Sequence, residues 1–232
     1  MILCITGTNT DVGKTVATAA LAAELAARGF DVVAAKPVQT GEPDGSGDAV
    51  TVERLAGVAT AEFRRYPEPL APNLSARRAG MAQVERSELV EWIRGLDVPP
   101  AGGGARVVLV EGAGGLLVRL ADDLTLADVA ADLDAPLVVV TSLQLGSLNA
   151  AELTVREAAR AGLRVAGLIG GSLPASPDLA TQLNVEELPV VTGVPLWGSL
   201  PAGAGGLDAE EFRVAARAAL GCLPDLSDLA VL

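Results

Sequence analysis

The chain contains no histidine in its 232 residues. That removes the commonest general base, the Ser-His and Cys-His nucleophile systems and every imidazole metal ligand together. Any metal would be a hard ion held by oxygen, with Mg2+ the default. Cysteine is almost as scarce: Cys4 and Cys222 are too few and too separated for a disulfide scaffold, and Cys4 lies in an apolar run typical of a buried strand. A reducing cytoplasm is the expected compartment. Aromatic residues make up 3% of a chain that is 50% hydrophobic, so alanine, valine and leucine must build the core. Thin strands with closely packed helices are the consequence. The longest apolar stretches are strand-sized or interrupted by Glu24, and MILCITG has no basic n-region, so neither a signal peptide nor a membrane span is expected. A net charge of −12 argues against a nucleic-acid partner, which would need a basic face.

Lysine is the other scarcity. Of 17 basic residues only Lys14 and Lys36 are lysines. Lysine is a compact point charge on a flexible stem, whereas arginine is a planar fork, so a chain that uses arginine nearly everywhere keeps lysine where space is cramped. Lys14 sits in GTNTDVGKT (Gly7 to Thr15) and reads as a phosphate ligand; Lys36 opens KPVQTG and is read either as a catalytic group or as a solvated surface lysine.

The length suits one α/β domain over residues 1–232. Apolar runs at 2–6, 31–35, 106–111, 136–141, 164–170 and 194–200 alternate with helical patterns near 14–28, 48–57, 85–95, 125–133, 148–161 and 208–220. Runs that are apolar throughout fit strands covered on both faces. The alternation predicts a doubly wound, mostly parallel sheet with helices on both faces, and ligands outside the carboxyl ends of its strands. GEPDGSG (41–47) is expected to be a functional loop and PPAGGGA (99–105) a plain connector. The proline-rich segment 66–80 is too rich in proline for an ordinary helix start and is read as a lid or an interface loop.

A strand, a glycine-containing loop, Gly-Lys-Thr and a strong helix in succession form a phosphate-binding loop, with backbone N–H groups and the helix's positive end around the phosphates. It is a variant, because Thr8 stands where the usual pattern has its first glycine and Gly7 comes one residue early. Lys14 is expected on the β and γ phosphates and the Thr15 hydroxyl on Mg2+. Asp11 within the loop suits either an amine- or hydroxyl-bearing ligand or a structural hydrogen bond. Glu111 ends the apolar run of VVLVEGAGG at the same crevice, where it is either a metal or outer-sphere ligand or simply solvated. The glycines after it permit close backbone approach to a ligand. Asp48 has the position of a helix N-cap and could equally reach the metal. Asn149 falls on the first turn of a helix, and spacing alone gives it no ligand role.

GTNTDVGKT, AKPVQTG, VEGAGG, LGSLN and GSLP, in that order over nearly the whole chain, resemble the dethiobiotin synthetases, ATP-dependent ligases that close the ureido ring in biotin synthesis. The resemblance implies that 7,8-diaminopelargonate takes up CO2 as a carbamate, which attacks the γ-phosphate of a nucleoside triphosphate. The second amine then displaces phosphate from the anhydride. It implies catalytic roles for Lys14 and Lys36, and a Mg2+ site of Thr15, Asp48 and Glu111. Nucleotide contacts would come from Thr10, Asp11, Val12, Gly13, Lys14, Thr15, Val16, Asp48, Glu111, Gly112, Ala113, Gly114, Gly171, Ser172, Leu200, Pro201 and Ala202. Substrate contacts would come from Thr10, Lys36 and Thr40, with Leu145, Gly146 and Asn149 contributed by the partner in a homodimer.

Two departures stand out. The family often has Asn-His where this chain has Asn149-Ala150, and its better-known members place a base-reading asparagine where Gly171 precedes Ser172. A glycine lacks the amide's donor and acceptor, so weak discrimination among ATP, CTP and GTP is expected. Two other classes fit less well. A positioning ATPase usually has an extra lysine early in the loop, where Thr8 and Asn9 stand here, and often a basic or amphipathic end, whereas the C-terminal PDLSDLAVL is acidic. A corrinoid amidotransferase needs a glutaminase domain with cysteine and histidine.

Overall fold

The computed structural model describes residues 1–100 and 103–225. Residues 101–102 of the expected connector and 226–232 of the acidic C-terminal stretch lie outside the described residues. The elements run β1 (Ile2–Gly7), α1 (Lys14–Ala27), β2 (Asp31–Thr40), α2 (Asp48–Ala56), β3 (Ala59–Tyr66), α3 (Pro72–Arg78), α4 (Arg86–Leu96) and β4 (Arg106–Gly115). They continue as β5 (Arg119–Ala121), β6 (Leu124–Thr125), α5 (Leu126–Leu133), β7 (Leu137–Thr141), α6 (Ser147–Arg160), β8 (Val165–Leu173), α7 (Leu179–Thr192), β9 (Leu196–Pro201) and α8 (Ala209–Ala219). Seven strands form one sheet in the order β3-β2-β4-β1-β7-β8-β9, and every pairing in it is parallel. β5 and β6 make a separate antiparallel pair.

The central strands are apolar on both faces because both faces are covered. Leu3 and Ile5 of β1, with Val107 and Leu109 of β4, face the core beneath α1, α2 and α8; Cys4, Val108 and Val110 face the opposite core, beneath α3, α4 and α5. Neighbouring residues of a strand point to opposite faces, so each carries one layer of each core. Alanine sets the spacing on α1, where Ala17, Ala19, Ala20, Ala22 and Ala23 are all buried. No helix among the described residues is long and apolar enough to cross a membrane.

Besides the β5–β6 pair, three elements depart from the expected layout. β3, with the sequence ATAEFRRY, is the edge strand beside β2 and is only partly buried along most of its length, so charged side chains are tolerated there. The proline-rich segment does hold a helix: α3 begins at Pro72, where a missing N–H and a fixed φ suit the first turn. α7 runs through Pro189 and lacks a strong apolar stripe, yet Asp178 caps its start by accepting the Thr181 N–H at 2.8 Å.

Three strands also outrun their expected ends by more than one residue, β8 among them, which continues past 170 to Leu173. β2 continues through Lys36 to Thr40, and β4 through Glu111 to Gly115. Lys36, Gln39 and Glu111 therefore project from rigid sheet, which holds them more firmly than a loop would.

Candidate active site

The phosphate loop folds around two left-handed residues. Gly13, with φ 93°, turns the chain into α1, and Asp11 takes φ 57°. Gly13 leaves space for Gly171 at the end of β8: a side chain on Gly171 would place its Cβ 1.6 Å from the Val12 carbonyl oxygen. Loop and sheet thus pack backbone to backbone. Asn9 ties the loop locally, accepting the Thr10 N–H at 2.8 Å on its side chain and the Lys14 Nζ at 3.2 Å on its carbonyl.

Lys14 and Thr15 open α1, Lys36 comes from β2, Asp48 from the start of α2 and Glu111 from β4. All five line one cavity of about 870 Å3 outside the carboxyl ends of the strands. Lys36 Nζ pairs with Asp48 Oδ2, lies 3.0 Å from Glu111 Oε1 and donates to the Gly112 carbonyl at 3.1 Å. The Thr15 hydroxyl sits 2.8 Å from Asp48 Oδ1 and 3.0 Å from Glu111 Oε1.

Asp48 is not an N-cap. It is the first residue of α2, and Gly47 holds the cap position without a side-chain bond. Its carboxylate goes to Thr15 and Lys36, while its own N–H donates to Gln39 Oε1 at 2.8 Å. Gln39 thus takes over the capping work from the neighbouring strand. Sequence pattern gave no sign of it, because the two positions belong to different elements.

The electrostatics follow from this packing. Burial would lower the Lys36 pKa, but the Glu111 and Asp48 carboxylates outweigh it and hold the ammonium above an ordinary lysine. Burial pushes Asp48 upward, and Lys36 more than reverses that, leaving it below an ordinary aspartate. Lys14 is lowered, first by burial and then by the positive Lys36 nearby, although Glu111, Asp48 and Asp11 resist the shift.

A hydroxyl and two carboxylates suit a hard divalent cation such as Mg2+, which takes few protein ligands and fills its shell with water and phosphate oxygens. Glu111 Oε2 is buried with no hydrogen-bond partner among the described residues, so an acceptor remains free for such an ion. No group of three or more His, Cys, Asp and Glu residues suited to a metal occurs among the described residues.

Thr10, Asp11, Gly13, Val16, Thr40, Ala113 and Gly114 also line the cavity, as do Gln39, Glu42 and the stretch Pro69 to Pro72, pieces of wall that no sequence motif singles out residue by residue. Glu42 comes from the loop at 41–47, and Pro69 to Pro72 from the segment at 66–80. Gly171, Ser172, Leu200, Pro201 and Ala202 lie beyond this cavity. Ser172 is exposed, Leu200 is buried in the core, and the Ala202 N–H donates to the Leu173 carbonyl at 2.8 Å. Leu145, Gly146 and Asn149 stand at the start of α6, outside the cavity of their own chain, with Leu145 85% exposed.

Fold and loop together define a P-loop nucleotide-binding protein. Among solved structures, the septum site-determining protein MinD of Pyrococcus horikoshii, complexed with Mg-ADP, matches with a TM-score of 0.58 at 19% identity, covering 98% of this chain and 97% of that one. The MinD ATPase of Pyrococcus furiosus matches with a TM-score of 0.53 at 19% identity, covering 93% and 94%. Identities this low speak for the fold alone. The family model of an AAA domain matches residues 2–205.

Curated relatives are far more similar. The ATP-dependent dethiobiotin synthetase BioD of Corynebacterium diphtheriae is 64% identical over 91% of this chain and 93% of its own length. Its counterparts in Corynebacterium efficiens and Streptomyces coelicolor are 62% and 53% identical, covering 94% and 93% of this chain and 97% and 90% of theirs. The chain belongs to the dethiobiotin synthetase family.

Proposed function

We propose that this protein closes the ureido ring of dethiobiotin from 7,8-diaminopelargonate, CO2 and ATP in biotin synthesis, with Lys14, Lys36, Asp48 and Glu111 as the working side chains. The observation that carries the assignment of residues is the convergence of both lysines and both carboxylates on one cavity, beside the Thr15 hydroxyl.

The chemistry explains why that set is useful. One amine of the substrate adds to CO2 and loses a proton, giving a carbamate. A carbamate oxygen attacks the γ-phosphorus and ADP leaves; the second amine attacks the carbamoyl carbon, the C–O bond to phosphate breaks and the ring closes. The proton lost by the second amine can go to the departing phosphate. No histidine base is needed, because the attacking carbamate is already an anion.

The difficulty is bringing two anions together. Lys14 and Lys36 supply fixed cations, and a hydrogen bond to a charged group that strengthens in the transition state by a few kcal/mol is a rate factor of roughly 10². Lys14 serves the β and γ phosphates, and Lys36 serves the carbamate and the phosphoryl group passing to it. Thr15, Asp48 and Glu111 would hold Mg2+, which supplies further charge neutralisation on the phosphates when bound. Thr10 and Thr40, which line the cavity, would contact the diamine.

A homodimer with shared sites would bring Leu145, Gly146 and Asn149, which stand outside the cavity of their own chain, across to the partner's substrate. With two cysteines too separated for a disulfide scaffold, the reading places the enzyme in a reducing cytoplasm. The test is product formation: dethiobiotin and ADP should appear together, and ADP release should depend on diaminopelargonate and bicarbonate. Hydrolysis indifferent to both would instead favour a nucleotide-switched ATPase.

A further inference from the structure

The Lys36 ammonium and a divalent cation have claims on the same two carboxylates, and Lys36 and Thr15 already share one oxygen, Glu111 Oε1. Lys36 Nζ pairs with Asp48 Oδ2 and lies 3.0 Å from Glu111 Oε1, and those carboxylates are the ones that Thr15 Oγ1 also approaches, at 2.8 and 3.0 Å. Lys36 is 4% exposed and Glu111 3%, so neither charge can turn to solvent if its partner leaves. One ammonium against two carboxylates leaves a single negative charge. Adding a divalent ion with the lysine in place would reverse that sign, with two cations sharing the Glu111 carboxylate in a poorly screened site. Such a state needs an anion beside it, and the phosphate loop presents Lys14 and its backbone N–H groups to the same cavity.

We infer that Lys36 is a tethered competitor for the metal site. Its ammonium holds Asp48 and Glu111 in position and resists a divalent ion that comes without phosphate. When metal and nucleotide come together, the phosphate oxygens balance the added charge, and Lys36 releases the carboxylates and turns to the transferring group. A single side chain would thereby couple metal entry to nucleotide and aim the catalytic cation. The inference rests on the reading of Thr15, Asp48 and Glu111 as metal ligands. It extends that reading by giving Lys36 a second role, in admitting the metal only with nucleotide.

Two measurements on the full chain test it. Manganese binding to the nucleotide-free protein, followed by electron paramagnetic resonance, should be at least tenfold tighter in Lys36→Met than in the wild type; equal affinities in a folded variant would overturn the inference. The second needs no variant to fold. With only two lysines in the chain, lysine labelled with 13C at Cε gives two side-chain signals. Adding Mg2+ to wild-type protein already saturated with β,γ-methylene-ATP should move the Lys36 signal, and a signal that stays in place would equally overturn the competitor role. Dethiobiotin formation by the same wild-type preparation separates the failures. Product with an unmoved Lys36 refutes only the competition, whereas absence of product refutes the enzymatic reading.

Discussion

Gln39 Oε1 accepts the backbone N–H of Asp48 at 2.8 Å, joining the end of β2 to the first residue of α2. The bond satisfies one of the orphan donors at a helix start and leaves the Asp48 side chain free for Thr15 and Lys36. Gln39 is buried and has little room to move: its side chain also donates from Nε2 to the Thr40 carbonyl at 3.2 Å.

Gln39→Leu keeps most of the volume and removes the acceptor. Loss of a helix cap costs about 0.5–2 kcal/mol, so urea unfolding should show a deficit in that range. Because α2 positions Asp48, kcat/KM should fall by roughly tenfold, which corresponds to about 1.4 kcal/mol in the transition state. Normal turnover in a destabilised variant would mean that Gln39 supports the helix without positioning Asp48.

Lys36→Arg keeps the charge and changes its shape. Lys36 is fully enclosed and reaches three acceptors with one small ammonium: Asp48 Oδ2, Glu111 Oε1 and the Gly112 carbonyl. A guanidinium is larger and planar, and cannot occupy the same point. Turnover should fall at least tenfold, about 1.4 kcal/mol, and near-normal turnover would remove Lys36 from the mechanism.

Much of this site was legible in the sequence because its parts are local. ILCIT followed by GTNTDVGKT announces a strand, a loop and a helix start within residues 2–15, and the apolar run before Glu111 shows that the carboxylate follows a buried strand segment. The hidden parts depend on distant partners. Gln39 and Asp48 lie on separate elements, and no periodicity links a strand side chain to a neighbouring helix's backbone. β3 was hidden because an edge strand need not be apolar, and its Glu62, Arg64 and Arg65 imitate a loop. α3 and α7 were hidden by proline: Pro72 sits at the position where a helix tolerates it, and Pro189 lies in the last turns of α7, close to the αL cap at Gly193. The Asp178 cap was the one available sign of α7.

Cys4 and Cys222 should differ sharply in reactivity. Burial pushes the Cys4 thiol up to about 12 from a usual 9.0, whereas Cys222 is exposed. Thiolate is the reactive form, so a disulfide reagent at pH 8 should modify Cys222 in the native protein and reach Cys4 only after unfolding. The sign for stability follows. Above pH 9 the unfolded chain gives up the Cys4 proton while the folded chain keeps it, so this group's contribution to stability declines as pH rises. Rapid native labelling of both thiols would show that β1 opens far more readily than a central strand should.

The base contact expected at Gly171 can be tested on nucleotide choice. The asparagine of better-known relatives cannot simply be restored at this position, because any Cβ there would lie 1.6 Å from the Val12 carbonyl oxygen and 3.4 Å from Gly13 Cα. Backbone on both sides leaves nothing flexible to yield. A glycine here would offer the base no side-chain donor or acceptor for telling adenine from cytosine or guanine, and a site lacking such bonds separates related ligands weakly. Values of kcat/KM for ATP, CTP and GTP should therefore lie within about tenfold of one another. Gly171→Ala should not sharpen that choice. It should instead push the phosphate loop out of place, weakening all three nucleotides together and lowering stability by about 1–3 kcal/mol through overpacking. A strong preference for ATP in the wild type, or an alanine variant with unchanged nucleotide binding, would show that the base and the loop are held by contacts other than the backbone packing of β8 against Val12 and Gly13.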